Sequence, residues 1–299
     1  MTVYDIEDGG YEEAEKVTDE FFSLCNKYEA LLSGTKEGAD IYNINHAHGK
    51  SVVCDDITID VIKRGMEYSR IFEGDFDITI GGVTKLWDFK SDRPHIPSDE
   101  DIAEALKHTG CDNIILSGNT LSMKDPLCEI DIGAIAKGYI ADRAAEFLEE
   151  RGVKSAVISL GGNIVCIGEK KEGRKTKEFK IGIETPYSDM RKISGVIGMS
   201  DETAVTSGVY ERFFEAEGRK YHHIIDPGTG YPVQTDLLSV TVVADKGKSA
   251  DCDALATICI LKGRDEGKRL LQEREGFEGL FIDIQSDRYA TEGFDYEKR

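Results

Sequence analysis

The feature that most constrains this chain is a repeated pairing of short apolar runs across glycine-bearing turns. Asn113–Ser117 and Leu121–Met123 flank Gly118-Asn119, and Lys154–Leu160 and Ile164–Ile167 flank Gly161-Gly162. Arg212–Glu217 and Lys220–Ile225 meet around Glu217-Gly218. Such turns fold their flanks back antiparallel, because glycine and asparagine accept the positive φ of a tight hairpin. Segments of helical period lie between the hairpins. From Glu12 to Leu31 the residues Val17, Phe21, Leu24, Cys25, Tyr28 and Leu31 recur at three- and four-residue steps. Ile57–Phe72, Asp99–Thr109, Ala136–Glu150, Ser249–Leu261 and Glu266–Arg274 read as further helices. Thr2–Ile6, Glu129–Ile132, Phe179–Ile183, Gly195–Met199, Val205–Ser207, Leu238–Ala244 and Gly279–Ile284 read as the remaining strands. Helices and hairpins alternate irregularly. The expected class is therefore α+β, with mixed or antiparallel sheets and packed helices, rather than a doubly wound parallel sheet.

The 299 residues suit one large domain or two intimate ones. A formal net charge of −20 argues against nucleic acid as a partner, since phosphate backbones need a basic footprint. An anionic substrate must then be held by a local device: a cation, a helix N-terminus or a few placed basic side chains. The seven cysteines are odd in number and none forms a C-x-x-C pair, so a disulfide framework and a structural zinc site are both unexpected. No apolar stretch reaches the length of a membrane span, and neither a signal-peptide pattern nor a lipobox cysteine is visible. The charged stretch Glu169–Glu178 reads as a solvated hairpin extension.

Four segments can carry chemistry. In Asp131-Ile-Gly-Ala-Ile-Ala-Lys137-Gly-Tyr-Ile-Ala-Asp142, small residues stand where a strand passes into a helix. This is either a tight connection or an anion site with Lys137 as a point charge. Asp253 and Thr257 are four apart and share one helix face. A carboxylate and a hydroxyl, joined by a backbone carbonyl from elsewhere, form an all-oxygen set suited to Mg²⁺; the alternative is helix capping by Asp251 or Asp253. In His222-His223-Ile-Ile-Asp226-Pro-Gly-Thr-Gly230-Tyr-Pro232, a histidine stands three residues ahead of a strong turn. His223 is either structural or a base. Phe76-Asp77-Ile-Thr-Ile-Gly-Gly-Val-Thr-Lys-Leu-Trp87-Asp-Phe89 holds the one tryptophan. It reads as a buried loop with an aromatic anchor, or as a polar contact at Asp77 for a planar ligand walled by aromatics.

The order and spacing of these segments resemble the ApbE family of flavin transferases. The resemblance runs from about Val3 to Leu280. It also takes in Ile-Tyr-Asn-Ile-Asn45, Leu160-Gly-Gly-Asn163 and Thr206-Ser-Gly-Val-Tyr-Glu-Arg212. It implies one transferase domain over residues 3–290, divisible into two α/β subdomains, with a T-fold-related architecture and an FAD site between the subdomains. The implied reaction moves FMN from FAD to a Thr or Ser hydroxyl of a target flavoprotein and releases AMP. A magnesium-dependent FAD pyrophosphatase and a non-catalytic FAD-binding protein are the alternatives. Carried over residue by residue, Ile44, Asn45, Asp77, Lys137 and Ile225 contact FAD. The Ala134 carbonyl, Asp253 and Thr257 hold Mg²⁺; for catalysis Asp253 serves through that ion, and the chemistry's need of a base near the hydroxyl makes His223 its candidate. The implied partner is an electron-transfer flavoprotein subunit, and the implied location is the extracytoplasmic side of the membrane. This chain departs from the family pattern at Ala39 and Tyr42, where serines are usual, at Gly81-Gly82, where Gly-Pro is common, and in a shortened opening strand.

Overall fold

The paired runs fold as their turns dictate. In the computed structural model, which describes residues 1–7, 10–89, 91, 93–172, 175–188 and 192–299, every named strand pairs antiparallel. Two compact units are formed: Met1–Cys25, Lys137–Tyr210 and Thr235–Arg299 make one, Asn26–Ala136 and Glu211–Gln234 the other.

The first unit is built on a seven-stranded sheet. Its order is Thr2–Ile6, Val153–Leu160, Asn163–Ile167, Glu202–Gly208, Leu237–Asp245, Phe277–Asp283 and Arg288–Ala290. Side chains alternate between its faces. Ile158, Val165 and Ile167 pack with Ala141, Ala144 and Leu148 of the helix Ala136–Glu150, and with Val17 and Phe21 of the helix Tyr11–Leu32. Cys166, Ala204 and Leu280 point the other way, onto Phe179, Ile197 and Met199 of a three-stranded sheet. Five cysteines, Cys54, Cys128, Cys166, Cys252 and Cys259, are buried as free thiols across the chain. Burial pushes the Cys166 thiol up to about 12, so it behaves as a core hydrophobe.

The helix Ser249–Lys262 buries Ala250, Cys252, Ala254, Leu255, Ala256, Ile258, Cys259 and Ile260, and packs on the strands Glu202–Gly208 and Leu237–Asp245. Its first turn is capped from another helix. Asp142 Oδ1 accepts from the Ser249 N–H at 2.8 Å and Oδ2 from the Ala250 N–H at 3.0 Å. The two helices meet so closely that a Cβ on Gly138 would lie 2.2 Å from the Ser249 carbonyl oxygen.

The second unit gathers around Trp87, which is wholly buried with Ile80, Val83, Ile102 and Ile225. Its indole N–H donates to the Gly230 carbonyl at 2.9 Å. Phe89, Phe214, Tyr221 and Tyr231 surround the ring. Trp87 is thus a core anchor and not a wall open to a ligand.

Most expected elements form within a few residues of their expected ends, and Ala136–Glu150 coincides with its expected range. Two short helices, Asp40–His46 and Gly81–Trp87, were not anticipated. Neither has a side-chain cap, and seven residues are too few to display a helical period. The strand expected over Glu129–Ile132 is reduced to one bridge, Ile80 to Glu129. Asp131 Oδ1 accepts from the Gly133 N–H at 2.8 Å and turns the chain toward the helix at once. The charged hairpin forms as Lys170–Glu172 and Lys175–Lys177, while Gly173 and Arg174 lie outside the described residues.

The close crossing yields a stability test. Gly138→Ala should lower stability by about 1–3 kcal/mol, because the added methyl meets backbone that cannot yield. Gly82→Ala, with nothing within 4 Å of the new Cβ, should be neutral or stabilising by up to about 1 kcal/mol. Urea midpoints of the two variants check both.

Candidate functional site

The crossing of Ala136–Glu150 with Ser249–Lys262 encloses a buried carboxylate in the first unit. Asp253 is only 1 % exposed. A carboxylate there must be compensated. Gly138 N–H donates to Oδ2 at 3.0 Å, and Lys137 Nζ stands 3.2 Å from Oδ1 and 3.5 Å from Oδ2. One turn on, Thr257 Oγ1 donates back to the Asp253 carbonyl at 3.3 Å. The Ser207 hydroxyl lies 3.4 Å from that of Thr257. Asp253, Thr257 and Lys137, expected together from sequence, are therefore brought together.

This donor set is all oxygen apart from an ammonium already resting on the carboxylate. Hard oxygen donors fit Mg²⁺ or a similar ion, and the lysine marks the point where positive charge is favoured. Among the described residues no group of three or more His, Cys, Asp or Glu side chains is arranged for a metal. An ion here would rest on one carboxylate, hydroxyls and backbone. Ala134 occupies the turn just before the helix at Ala136.

The second unit holds the other candidates. Ile44 is buried in the helix Asp40–His46. Its neighbour Asn45 uses both ends of its carboxamide on one residue: Nδ2 donates to the Ile130 carbonyl at 2.9 Å, and Oδ1 accepts from the Ile130 N–H at 2.7 Å. Asp77 Oδ1 accepts from the Thr79 N–H at 2.8 Å and the Thr79 hydroxyl at 2.6 Å. Both side chains fix backbone, so any contact they give a ligand comes with a rigid loop. Ile225 sits in the aromatic cluster and bridges to Pro232.

The two adjacent histidines differ. His222 donates from Nε2 to the Val233 carbonyl at 3.1 Å and accepts at Nδ1 from the Ile224 N–H at 3.3 Å. That arrangement requires a neutral ring, and burial holds its pKa below the ordinary histidine value. His223 is half-buried, and its Nδ1 lies 3.3 Å from the Arg212 carbonyl. With Nδ1 as the donor, the lone pair of a neutral ring falls on Nε2, the tautomer a base needs. Asp226 closes the turn that follows, accepting from the Gly228 N–H at 2.9 Å and the Thr229 hydroxyl at 3.0 Å.

The sequence assigns no individual role to Ser207 or Asp142, which stand inside segments that can carry chemistry, and gives Gly138 only the steric part of a tight connection. Only the crossing, which requires a residue without Cβ at position 138, reveals what they do.

The model of the ApbE family matches residues 1–281. A protein of Klebsiella pneumoniae (strain 342) named FAD:protein FMN transferase is 34 % identical over 280 residues, covering 93 % of this chain and 85 % of the relative. A Treponema pallidum (strain Nichols) protein of the same name is 34 % identical over 283 residues, covering 90 % and 78 %. The crystal structure of the ApbE protein of Thermotoga maritima superposes with a TM-score of 0.84 at 30 % identity, covering 93 % of this chain and 89 % of that one. The apo flavinyl transferase ApbE of Pseudomonas stutzeri gives 0.82 at 26 %, covering 97 % and 89 %. The α+β class with antiparallel sheets holds in these folds.

Two outcomes follow from this geometry. Asn45→Ala strands the Ile130 N–H and carbonyl, so stability without any flavin should fall by about 1–3 kcal/mol, read as a lower urea midpoint. For His222, the folded pKa is depressed, so its contribution is complete above about pH 6.5. It is lost as pH falls, because the unfolded chain takes up the proton first. The drop in urea midpoint between pH 7 and pH 5.5 should therefore be smaller in His222→Gln than in the parent.

Proposed function

This chain belongs to the ApbE family, and from that premise we propose that it is an FAD:protein FMN transferase. It transfers FMN from FAD to a Thr or Ser hydroxyl of a target flavoprotein, releases AMP, and uses Mg²⁺. The observation that carries this reading is the buried Asp253 carboxylate, held by Lys137 and the Gly138 N–H beside the Thr257 and Ser207 hydroxyls. A protein of net charge −20 cannot attract a diphosphate by its general field. It needs one concentrated positive point, and these groups are suited to supply one.

The acceptor hydroxyl oxygen bonds to the FMN phosphorus while the bond from that phosphorus to the oxygen bridging to the AMP phosphate breaks. The bridging oxygen leaves with AMP, and the hydroxyl proton passes to a base. Mg²⁺, when bound, neutralises charge that builds on the diphosphate. Asp253 and Thr257 are the side chains that would hold it, and the Ala134 carbonyl is the backbone ligand the family resemblance implies. Lys137 adds a second positive charge, its side chain 42 % exposed and its head on Asp253. His223 takes the proton at Nε2. Ile44, Asn45, Asp77 and Ile225 bound the flavin, with Asn45 and Asp77 acting through the backbone they hold.

Residues 3–290 act in this reaction as one functional domain. The electron-transfer subunit as target and the extracytoplasmic location are parts of this reading that rest on the resemblance. Among the described residues no helix is long and apolar enough to cross a membrane.

The decisive test incubates the protein with FAD, Mg²⁺ and a threonine-bearing flavoprotein fragment. Covalent flavin on the fragment with release of AMP is expected. Free FMN plus AMP would instead make it a pyrophosphatase, and unchanged FAD a binding protein. Asp253→Asn should lower turnover at least about 10–100-fold, with the melting temperature near the parent's because the amide oxygen still accepts from Gly138. His223→Gln should lower the chemical step by about 10²–10⁴-fold with FAD affinity retained, and should lose the rise of rate with pH that a base deprotonating in the parent gives. A surviving pH limb in that variant would reject His223 as the base.

A further inference from the structure

Asn163 opens the strand Asn163–Ile167, directly after the Gly161-Gly162 turn. It is 0 % exposed. Its ladder is intact through its backbone, yet neither its Nδ2 nor its Oδ1 finds a hydrogen-bond partner among the described residues. A buried carboxamide with both ends unmet is costly, and such a group calls for an occupant.

The register says which face it is on. Asn163 lies opposite Leu160 on one side and Val205 on the other. Residues opposed in an antiparallel ladder share a face, and so do residues two apart along a strand. Asn163 therefore shares the face of Val205 and Ser207. Ser207 is the residue whose hydroxyl lies 3.4 Å from Thr257 on the helix above. A second line of contacts converges on the same place. The turn before Asn163 runs beside Lys137, whose Cδ would lie 4.0 Å from a Cβ on Gly161, and the Lys137 head stands on Asp253. The Gly162 carbonyl accepts from the Thr206 N–H at 3.1 Å, tying that turn to the strand of Ser207. All of these residues belong to one unit.

We propose that Asn163 belongs to the cation centre as a positioning residue: its carboxamide oxygen accepts a hydrogen bond from a water on the divalent ion held by Asp253 and Thr257. This rests on the cation reading given above. It assigns a purpose to the Leu160-Gly-Gly-Asn163 segment, which that reading leaves unused. The alternative is an amide buried only for packing. An apolar side chain of similar volume would then serve equally well or better, since it removes two unmet polar atoms.

The two differ in Mn²⁺ binding without FAD, measured by electron paramagnetic resonance on the full chain. Asn163→Leu is expected to melt at or above the parent temperature without metal, while its Mn²⁺ affinity falls about 10–100-fold. Parent-like Mn²⁺ affinity in Asn163→Leu would overturn the assignment. If Asp253→Asn loses Mn²⁺ in the same series, the cation site itself stands. A parent that binds no Mn²⁺ would overturn the cation reading and this inference with it. Should Asn163→Leu fail to fold, Asn163→Asp decides. Its melting temperature without metal should be below the parent's, and Mn²⁺ should raise it by more than it raises the parent's. Equal Mn²⁺-induced rises would overturn the proposal.

Discussion

A carboxylate at 1 % exposure has no water to solvate it, and the way Asp253 is nevertheless kept in place organises much of this protein. Its solvation is supplied by one backbone N–H and one ammonium, both from the first turn of the helix Ala136–Glu150. Those donors reach it only because the two helices cross at near backbone contact. That contact exists only because position 138 carries no side chain. Asp142, one turn further along, closes the same junction by capping Ser249 and Ala250. The segment Asp131–Asp142 is thus a tight connection whose N–H and ammonium donors are taken up by a carboxylate of this chain.

The same economy runs through the chain's many acids. A large share of its short carboxylates are spent on backbone. Asp55 caps Ile57, Asp77 holds Thr79, Asp131 holds Gly133, Asp226 holds Gly228, and Asp283 holds Gln285 and Asp287. Each replaces a water on an N–H that the secondary structure leaves unpaired. The acidic balance is therefore in part a device for fixing turns.

In the second unit the ordering principle is aromatic. Trp87 is fixed by its bond to the Gly230 carbonyl and by the rings around it. The Asp-Pro-Gly-Thr-Gly turn and the Gly81–Trp87 helix are thereby locked to each other. His222, neutral and bonded at both ring nitrogens, belongs to this scaffold. Its neighbour His223 sets Nδ1 3.3 Å from the Arg212 carbonyl.

What the sequence determined by itself is what is written within a single element. Helical period located the helices, and glycine turns located the hairpins and their antiparallel sense. The four-residue spacing of Asp253 and Thr257 put a carboxylate and a hydroxyl on one helix face, and the order of the motifs identified the family. Periods and turns are local, so a short window suffices to read them. The seven-residue helices fall below that window, and Glu129–Ile132 reads as a strand although the Asp131 turn ends it. Tertiary structure alone decided who meets Asp253. Gly138 and Lys137 are 115 and 116 residues away along the chain. Ser207 joins Thr257 across 50. Asn45 closes on Ile130 across 85, and the unmet carboxamide of Asn163 becomes visible only once the sheet and helices have buried it. Such meetings depend on how closely backbones approach in the packed core, a property of the whole arrangement that no local pattern carries.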